Sequence, residues 1–532
     1  YALKVRSHFE EWDLPAETYR GEDAANMLVH RLHEIYEDLR PLIFSNVKME
    51  PITSEIQARL DQQHDCHICN AALTGDRDTD HCHYTGKILG YAHPECNRQR
   101  KTPKQIPVLF HNFSGYDCHL FINELCALEE DLWGVRLLPK TMEKYTSVKT
   151  DRFHFIDSYQ HLQAPLDKLV KDLKASGTDQ FKSVKDYIEL FHGGSQEKFD
   201  LLLRKGVYPY DYTDSFEKFK EGLPGVDKFY NQLKDEACSQ KDYKHVEKMW
   251  STFSLKNLGE LCDIYVTSDV LLLADVFSAY IKECWDNFGL DPLHYPTAPS
   301  FTWDACLKMT KAELEYIKDP DMYQFCELAI RGGVSVISKR SATANNKYLP
   351  DFDPTKLINF LIYLDANNLY GEAMIQKLPT DGFKWTNLTL QQIIDHDADG
   401  DIGYFVEVDL EIPPALHDKF NCLPLVPEPL NVTEKIASQK SLDIRKKRNP
   451  PKDGKPVKRR KQDESFSVVK LAPNLLPKTN YIVHIKNLQF YLEEGVVLTK
   501  VHRALEFNQS AWMEPYILYN TEKRKIAKTE FR

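Results

Sequence analysis

The sequence predicts a mixed α/β protein of several domains, and two observations carry that reading. The first is a set of short apolar runs that end in polar groups. Pro107–Phe110 leads into His111, Asn112 and Asp117, and Phe360–Leu364 ends in Asp365. Runs without alternation fit strands buried on both faces. An Asp at the end of such a strand belongs at the open end of a sheet, where ions and substrates are held. The second is helical periodicity around those runs. Leu28, Leu32, Ile35 and Leu39 recur at helical spacing near Asp23–Arg40, and an apolar helix is expected from Val270 to Phe277. At 532 residues the chain has room for roughly three or four domains.

Composition narrows the function classes. The chain is 42% hydrophobic and 28% charged, an ordinary globular mixture. No uninterrupted apolar run reaches the ~18 residues a membrane helix requires, and no signal peptide opens the sequence. Twelve mostly single cysteines argue against a disulfide framework. The expectation is an intracellular, non-secreted protein with no membrane partner. A net charge of −11 argues against a simple nucleic-acid coat, but leaves room for an enzyme with local basic grooves. The chain begins at Tyr1 rather than Met and ends at Arg532 inside a helical pattern, so both ends read as cut.

In chain order, the first chemistry appears after residue 63. Cys66-x-x-Cys69 and His93-x-x-Cys96 are two knuckles that can hold one tetrahedral zinc. Between them lies Asp80-His81-Cys82-His83, whose side chains offer competing donors, and Asn97 follows the second knuckle. This block resembles the zinc module of phage endonuclease VII, a relative of the His-Asn-His nucleases. The resemblance implies structural zinc on Cys66, Cys69, His93 and Cys96, and a possible cleavage centre at Asp80, His81 and Asn97. It departs from the pattern in that His93 stands where a Cys is usual.

Three further segments resemble the proofreading exonuclease of DNA polymerases. Asn112 to Asp117 is similar to its second motif, with Asp117 implied as a catalytic metal ligand and His111, Asn112 and Phe121 as contacts for a single-stranded primer end. Asp157-Ser158-Tyr159-x-x-Leu162 resembles a primer-contact motif of protein-primed polymerases, which implies DNA binding by Ser158; Tyr159 replaces the usual Leu. Tyr265-x-x-x-Asp269 matches the third motif, where the Asp binds metal and the Tyr orients the attacking water. The first motif, Asp-x-Glu on a strand, is missing, because Glu10, Glu11 and Asp13 have the wrong spacing. Two-metal hydrolysis needs several carboxylates, so that site reads as incomplete.

Downstream, Asp365-x-x-Asn368-Leu369-Tyr370-Gly371 resembles motif A of family B DNA polymerases, which typically reads Asp-x-x-Ser-Leu-Tyr-Pro. The resemblance implies that Asp365 binds the catalytic magnesium ions. It also implies that Asn368, Leu369 and Tyr370 hold the incoming nucleotide, with the Tyr ring excluding a 2′-OH. Arg331-Gly332-Gly333 sits where that family grips its template, without the usual Tyr. Residues 401–412 alternate like a strand. Arg445–Lys461 carries ten Lys/Arg against one acidic residue, a block that reads as disordered with affinity for nucleic acid. Tyr481–Leu492 reads as strand then helix. The helix from Pro515, with Arg524, Lys525 and Lys528, resembles the run into motif B; motifs B and C are absent.

The resemblance as a whole is to protein-primed family B DNA polymerases of organellar, viral and large-transposon type. It implies a ribonuclease-H-like exonuclease domain with an inserted zinc module, then a partial palm and the start of the fingers. The boundaries expected are 1–63 for the start of the exonuclease domain, 64–100 for the zinc module, and 101–295 for the rest of the exonuclease. The linker and palm follow at 296–412, a charged insertion at 413–480, and the palm/fingers root at 481–532. The activity implied is template-directed addition of deoxynucleotides by a two-metal mechanism with 3′–5′ proofreading, the fragment alone being inactive. Implied partners are DNA template and primer, deoxynucleoside triphosphates and a priming terminal protein, with Mg2+ and structural Zn2+ as cofactors and the nucleus as location in a eukaryotic host. A zinc-module nuclease and a non-catalytic DNA-binding transposon remnant are the competing readings.

Overall fold

The computed structural model describes residues 1–101, 103–128, 134–433, 439, 443 and 467–527. They fall into two units: Tyr1–Ala305 with the residues from Lys523 on, and Cys306–Glu522.

Unit one opens with an antiparallel hairpin, β1 (Ala2–Val5) and β2 (Leu14–Thr18). In α1 (Ala24–Ile43) the buried Leu28, Val29, Leu32, Ile35 and Tyr36 lie three and four residues apart, so one stripe faces the core. The two-knuckle region is a satellite of α2 (Ser54–Asp61), the hairpin β3 (Asp78–His81) with β4 (Ile88–Ala92), and α3 (Pro94–Gln99). Its small core is Leu60, Ile88 and Tyr91.

Next come β5 (Ile106–Phe110), α4 (Asp117–Leu128), β6 (Arg136–Thr141), β7 (Lys144–Lys149) and β8 (Phe153–Asp157). They build one sheet in the order β5-β8-β7-β6. β5 and β8 run parallel, and the other pairs are antiparallel. All of β8 is buried, as expected of an inner strand covered on both faces. Val108, Phe153 and Phe155 of the sheet share a core with Phe121 and Leu125 of α4 and Leu28 and Leu32 of α1.

A larger helical core joins α5 (Leu166–Ala175), α6 (Lys182–His192), α7 (Gln196–Leu202), α8 (Gln240–Thr252) and α9 (Leu258–Phe288). The 31-residue α9 starts where the Asn257 side chain accepts the Glu260 N–H at 3.0 Å. It ends at Gly289, whose φ of +60° is the left-handed stop that glycine favours. By length and composition alone α9 could cross a membrane; in unit one it supplies core residues such as Leu258, Leu261, Leu271 and Val276. Its buried Asp275 accepts the N–H groups of Ser183 at 2.7 Å and Val184 at 3.1 Å, capping α6. The apolar helix therefore starts earlier than the sequence reading placed it, and Tyr265 and Asp269 lie inside it rather than at its mouth. The apolar spacing runs back through Leu261 to Leu258 and extends the helix toward its cap. α10 (Ala298–Thr310) follows.

Unit two contains α11 (Pro320–Ala329), α12 (Leu369–Met374), β9 (Leu378–Thr386), α13 (Leu390–Asp395), β10 (Ile402–Glu411), β11 (Glu428–Thr433), β12 (Ser467–Ala472), β13 (Lys478–His484), α14 (Ile485–Glu493), β14 (Val497–Ser510) and the part of α15 (Glu514–Ile526) before Lys523. Its antiparallel sheet has the order β13-β10-β14-β9. Period-two alternation gives the sheet two apolar faces. Val406, Val408, Tyr481, Val483 and Ala504 pack with Ile393, Ile485 and Leu488. Ile482 and Leu505 pack with Phe325 of α11 on the opposite face.

One expectation is corrected in unit two. Phe360–Leu364 is not a buried strand: among the described residues no strand pairs with it, and Ile362, Tyr363 and Leu364 are 76%, 95% and 85% exposed. Apolar sequence makes a buried strand only where neighbours supply hydrogen bonds and cover. Within 413–480, β11 and β12 form a six-pair ladder from Glu428↔Ala472 to Thr433↔Ser467. Buried Lys478 ties that hairpin to the main sheet by bonding Glu428 Oε1 at 2.8 Å and Asn474 Oδ1. The basic block Arg445–Lys461 lies outside the described residues, as does Lys528.

One titration follows from the unit-one sheet. Buried His154 on β8 shares a 2.9 Å hydrogen bond with Ser147 on β7. Burial, reinforced by the charges of Lys149 and His294, pushes its imidazole down to about 4. The unfolded ring binds a proton near pH 6.5, so the unfolded state gains protons first as pH falls. The stability contribution is full above about pH 6.5 and is lost progressively toward pH 4. Denaturant melts of wild type and His154→Gln should converge over that window by about 1–2 kcal/mol, screening allowed for. A difference independent of pH would contradict the assignment.

Candidate active site

The parallel pairing of β5 and β8 places their carboxyl ends side by side, with Phe110 opposite Asp157. Ligand sites form at such ends. Asp157 is fully buried and organises the turn after β5. Its Oδ1 accepts the N–H groups of Asn112 at 2.9 Å and Tyr159 at 3.0 Å. Its Oδ2 accepts the N–H of Ser114 at 3.2 Å and the Ser114 hydroxyl at 3.0 Å. Asn112 takes a left-handed conformation, φ +69°, which an Asn tolerates better than most residues. The chain then reverses and starts α4 at Asp117.

Around this turn the three exonuclease-like segments approach one another. His111 is half-buried, with Nε2 3.0 Å from Ala164 O and Nδ1 3.0 Å from Ser158 Oγ. Burial lowers its pKa, and the Ala164 carbonyl, which can only accept, takes an N–H from Nε2. The carboxylates of Asp157 and Asp269 both act electrostatically on His111. Asp117 is held above the usual carboxylate range by burial, with the charge of Asp157 adding to the effect. Asp269 is raised by burial against the pull of Lys205, whose Nζ bonds its Oδ2 at 2.8 Å. The Tyr265 hydroxyl also reaches the carboxylate and works in the same direction as Lys205.

Tyr265 lies one turn before Asp269 on α9, so the two share a face. Burial and then the Asp269 charge raise its phenol, which stays protonated. Its ring sits 5.7 Å from Tyr208 and 5.8 Å from Tyr210. Tyr265, Asp269 and Lys205 thus form one buried polar group beside His111.

Two primer-contact assignments are corrected. Phe121 is 2% exposed and packs against Phe110, Phe113 and Phe155, because positions 118, 121 and 125 form the inward face of α4. Ser158 has no exposed surface, and its hydroxyl is used on Phe110 O and His111. Neither presents a surface to a DNA strand. Sequence reasoning passed over Lys205, which lies 64 residues before Asp269 and carries no motif signal of its own. Asp157 appeared within a motif, but nothing in the sequence revealed how many donors it gathers.

In the two-knuckle module the ligand atoms of Cys66, Cys69, His93 and Cys96 all lie within 4.8 Å of one another. His93 Nδ1 is 3.5 Å from Cys69 Sγ and 3.9 Å from Cys96 Sγ. Its Nε2 donates to Ala72 O at 3.1 Å, which leaves the Nδ1 lone pair for a metal. Burial works upward on the Cys66 thiol, but N–H donors from Cys69, His93 and Ile68 outweigh it and bring it down to about 6. Cys96 is pushed up to about 11 by burial and by the neighbouring Cys69 and Cys66. Three thiols and one imidazole in this space fit tetrahedral zinc. Asp80 and Asn97 are already engaged, with His67 and Arg100 on Asp80 and Asp78 on Asn97. His81 stacks on His83 at 4.9 Å.

In unit two, Asp365 and Tyr370 are exposed. Asn368, at φ +55°, begins α12 and folds its side chain over buried Gly371. A Cβ on Gly371 would press on the Asn368 side chain, which would then have to turn away. Arg331 stacks over the Tyr481 ring at 3.8 Å. Gly332 and Gly333 are exposed, and nothing in the unit crowds the space where a Cβ would stand.

Comparison with known proteins adds the family. No curated protein matches the chain. Among solved structures, the orthorhombic crystal form of Phi29 DNA polymerase is 12% identical, with a TM-score of 0.40 over 80% of this chain and 57% of that one. The same polymerase complexed with primer-template DNA, in a post-translocation binary complex, is 13% identical, with a TM-score of 0.39 over 80% of this chain and 56% of that one. The chain thus spans less than two thirds of these structures. The family model for DNA polymerase type B, organellar and viral, matches residues 97–443. That span contains Asp117, Asp157 and Asp269 as well as Asp365, and on the strength of that match the chain belongs to the organellar and viral type B DNA polymerases.

Proposed function

We propose that the chain supplies the exonuclease and part of the palm of a protein-primed DNA polymerase that extends a primer, or a protein hydroxyl, along a DNA template. The observation that carries this reading is the exposed, uncommitted carboxylate of Asp365 directly before the Asn368 turn, within the span of the family match. Asp365 would hold Mg2+, which activates the attacking oxygen and neutralises charge on the triphosphate. Tyr370 would lie beside the incoming sugar, and Arg331 with Gly332 and Gly333 would meet the template backbone. In unit one, Asp117 and Asp269 would hold Mg2+ for 3′–5′ hydrolysis, with Tyr265 orienting water and His111 and Asn112 contacting the primer end. Zinc in the two-knuckle module would be structural. The proposed setting is intracellular, and nuclear if the host is eukaryotic, with deoxynucleoside triphosphates and a priming terminal protein as partners.

Three outcomes test this. On this reading the chain alone should add no nucleotides, since no segment of it resembles motif B or C. A polymerase extended to include them should do so in a primer-extension assay, and Asp365→Asn should then abolish the activity. Extension that survives Asp365→Asn would defeat the palm assignment.

Single-stranded 3′–5′ degradation should be undetectable for this chain and should appear when the Asp-x-Glu strand is supplied. Asp269→Asn should then lower it by about a hundredfold or more, as expected for loss of a metal ligand in a two-metal site. An unchanged rate would remove Asp269 from the site.

Elemental analysis of protein purified without chelator should find one zinc per chain. Cys66→Ser with Cys69→Ser should lose it and unfold the module, since structural zinc supplies roughly 10 kcal/mol or more of folding free energy in small modules. Zinc retained by that double variant would rule out the four-ligand site.

A further inference from the structure

We infer that the buried carboxylate of Asp80 is a clamp holding both knuckles in the geometry the zinc site requires, rather than the metal ligand of a strand-cleaving centre. The inference rests on reading Cys66, Cys69, His93 and Cys96 as a zinc site.

Asp80 is 2% exposed at the inner end of β3. Its Oδ2 meets His67 Nε2 at 2.8 Å and the guanidinium of Arg100. His67 lies within Cys66-x-x-Cys69, and Arg100 stands four residues beyond Cys96, where its N–H donates to Cys96 O at 3.1 Å. One carboxylate oxygen therefore reaches a residue attached to each knuckle. The hairpin is shaped to allow this. Gly90 is the ladder partner of Asp80, and a Cβ there would stand 3.2 Å from His67 Cβ and 2.8 Å from Gln63 Oε1. Glycine lets the first knuckle lie directly on β4, where the His67 N–H donates to Tyr91 O at 3.1 Å.

The same contacts bear on cleavage. A divalent ion at Asp80 would have to displace a guanidinium and an imidazole from a buried oxygen, stranding Arg100 beside a second positive charge. Asn97, the other oxygen donor of the constellation, donates Nδ2 to Asp78 Oδ2 at 3.2 Å. Asp80 is thus a positioning residue. Its effect passes through His67 and Arg100 to the ligand-bearing loops, as outer-shell partners of metal ligands act in general.

The test uses the full chain. Zinc affinity is measured by chelator competition for wild type, Asp80→Asn, Arg100→Met, Arg100→Lys and the Asp80→Asn/Arg100→Met pair. Nicking of branched DNA is measured with Mg2+ or Mn2+. Asp80→Asn and Arg100→Met should each weaken zinc binding about tenfold or more. Arg100→Lys, which keeps a cation beside the carboxylate, should recover most of that loss. The double variant should be little weaker than the worse single one, because both remove the same pair. Nicking should be absent throughout. Because Arg100 lies at the surface, Arg100→Met still decides the matter if Asp80→Asn does not fold. Unchanged zinc affinity in the Arg100→Met chain overturns the clamp. So does metal-dependent nicking that Asp80→Asn abolishes while zinc stays bound. A wild-type chain that takes up no zinc removes the zinc reading, and the clamp with it.

Discussion

The buried carboxylate of Asp157 is the constraint on which the sheet end of unit one depends. A carboxylate taken out of water is costly unless its oxygens are satisfied, and Asp157 gathers three backbone N–H groups and one hydroxyl. Hydrogen bonds to a charged group are each worth about 1.5–3 kcal/mol, against a large penalty if left unmade. The turn after β5 is therefore fixed by electrostatics rather than by its own sequence preference. That turn sets His111 against Ser158 and Ala164, puts Asn112 in the left-handed region and lets α4 begin at Asp117. Parallel pairing of β5 with β8 makes this possible, because it brings two strand ends to the same edge.

The two candidate metal regions of unit one follow different physical rules. In the two-knuckle module soft thiols and an imidazole converge closely, and the His93 tautomer is set by Ala72 O. Around His111 the donors are carboxylates, and burial lifts Asp117 and Asp269 toward the neutral form while Lys205 draws Asp269 back. The buried Asp269 is thus engaged by Lys205 and by the Tyr265 phenol beside it.

Unit two shows what the alternation of apolar residues can and cannot determine. β10, β13 and β14 alternate so that each face of the sheet has its own core, and the helices on each face supply the matching side chains. Lys478 is buried at the sheet's edge and is stable there because Glu428 and Asn474 surround its ammonium, tying the β11–β12 hairpin to the sheet. Arg503 lies between the Phe325 and Trp385 rings while bonding Glu407, so a charged residue also fills part of the apolar face.

Local pattern by itself determined the mixed α/β class, the α1 stripe at Leu28, Leu32 and Ile35, the β5 strand, and the gathering of Cys66, Cys69, His93 and Cys96. These signals are short in range: periodicity, capping and ligand spacing act within a few residues. Tertiary structure decided what depends on distant partners. Phe121 and Ser158 looked like surface contacts in a motif, but the inward face of α4 and the β5–β8 junction buried them. Lys205 met Asp269 only because the helices of unit one pack together. Phe360–Leu364 had the composition of a buried strand and stayed exposed, because a strand is completed by its neighbours' hydrogen bonds and not by its own side chains.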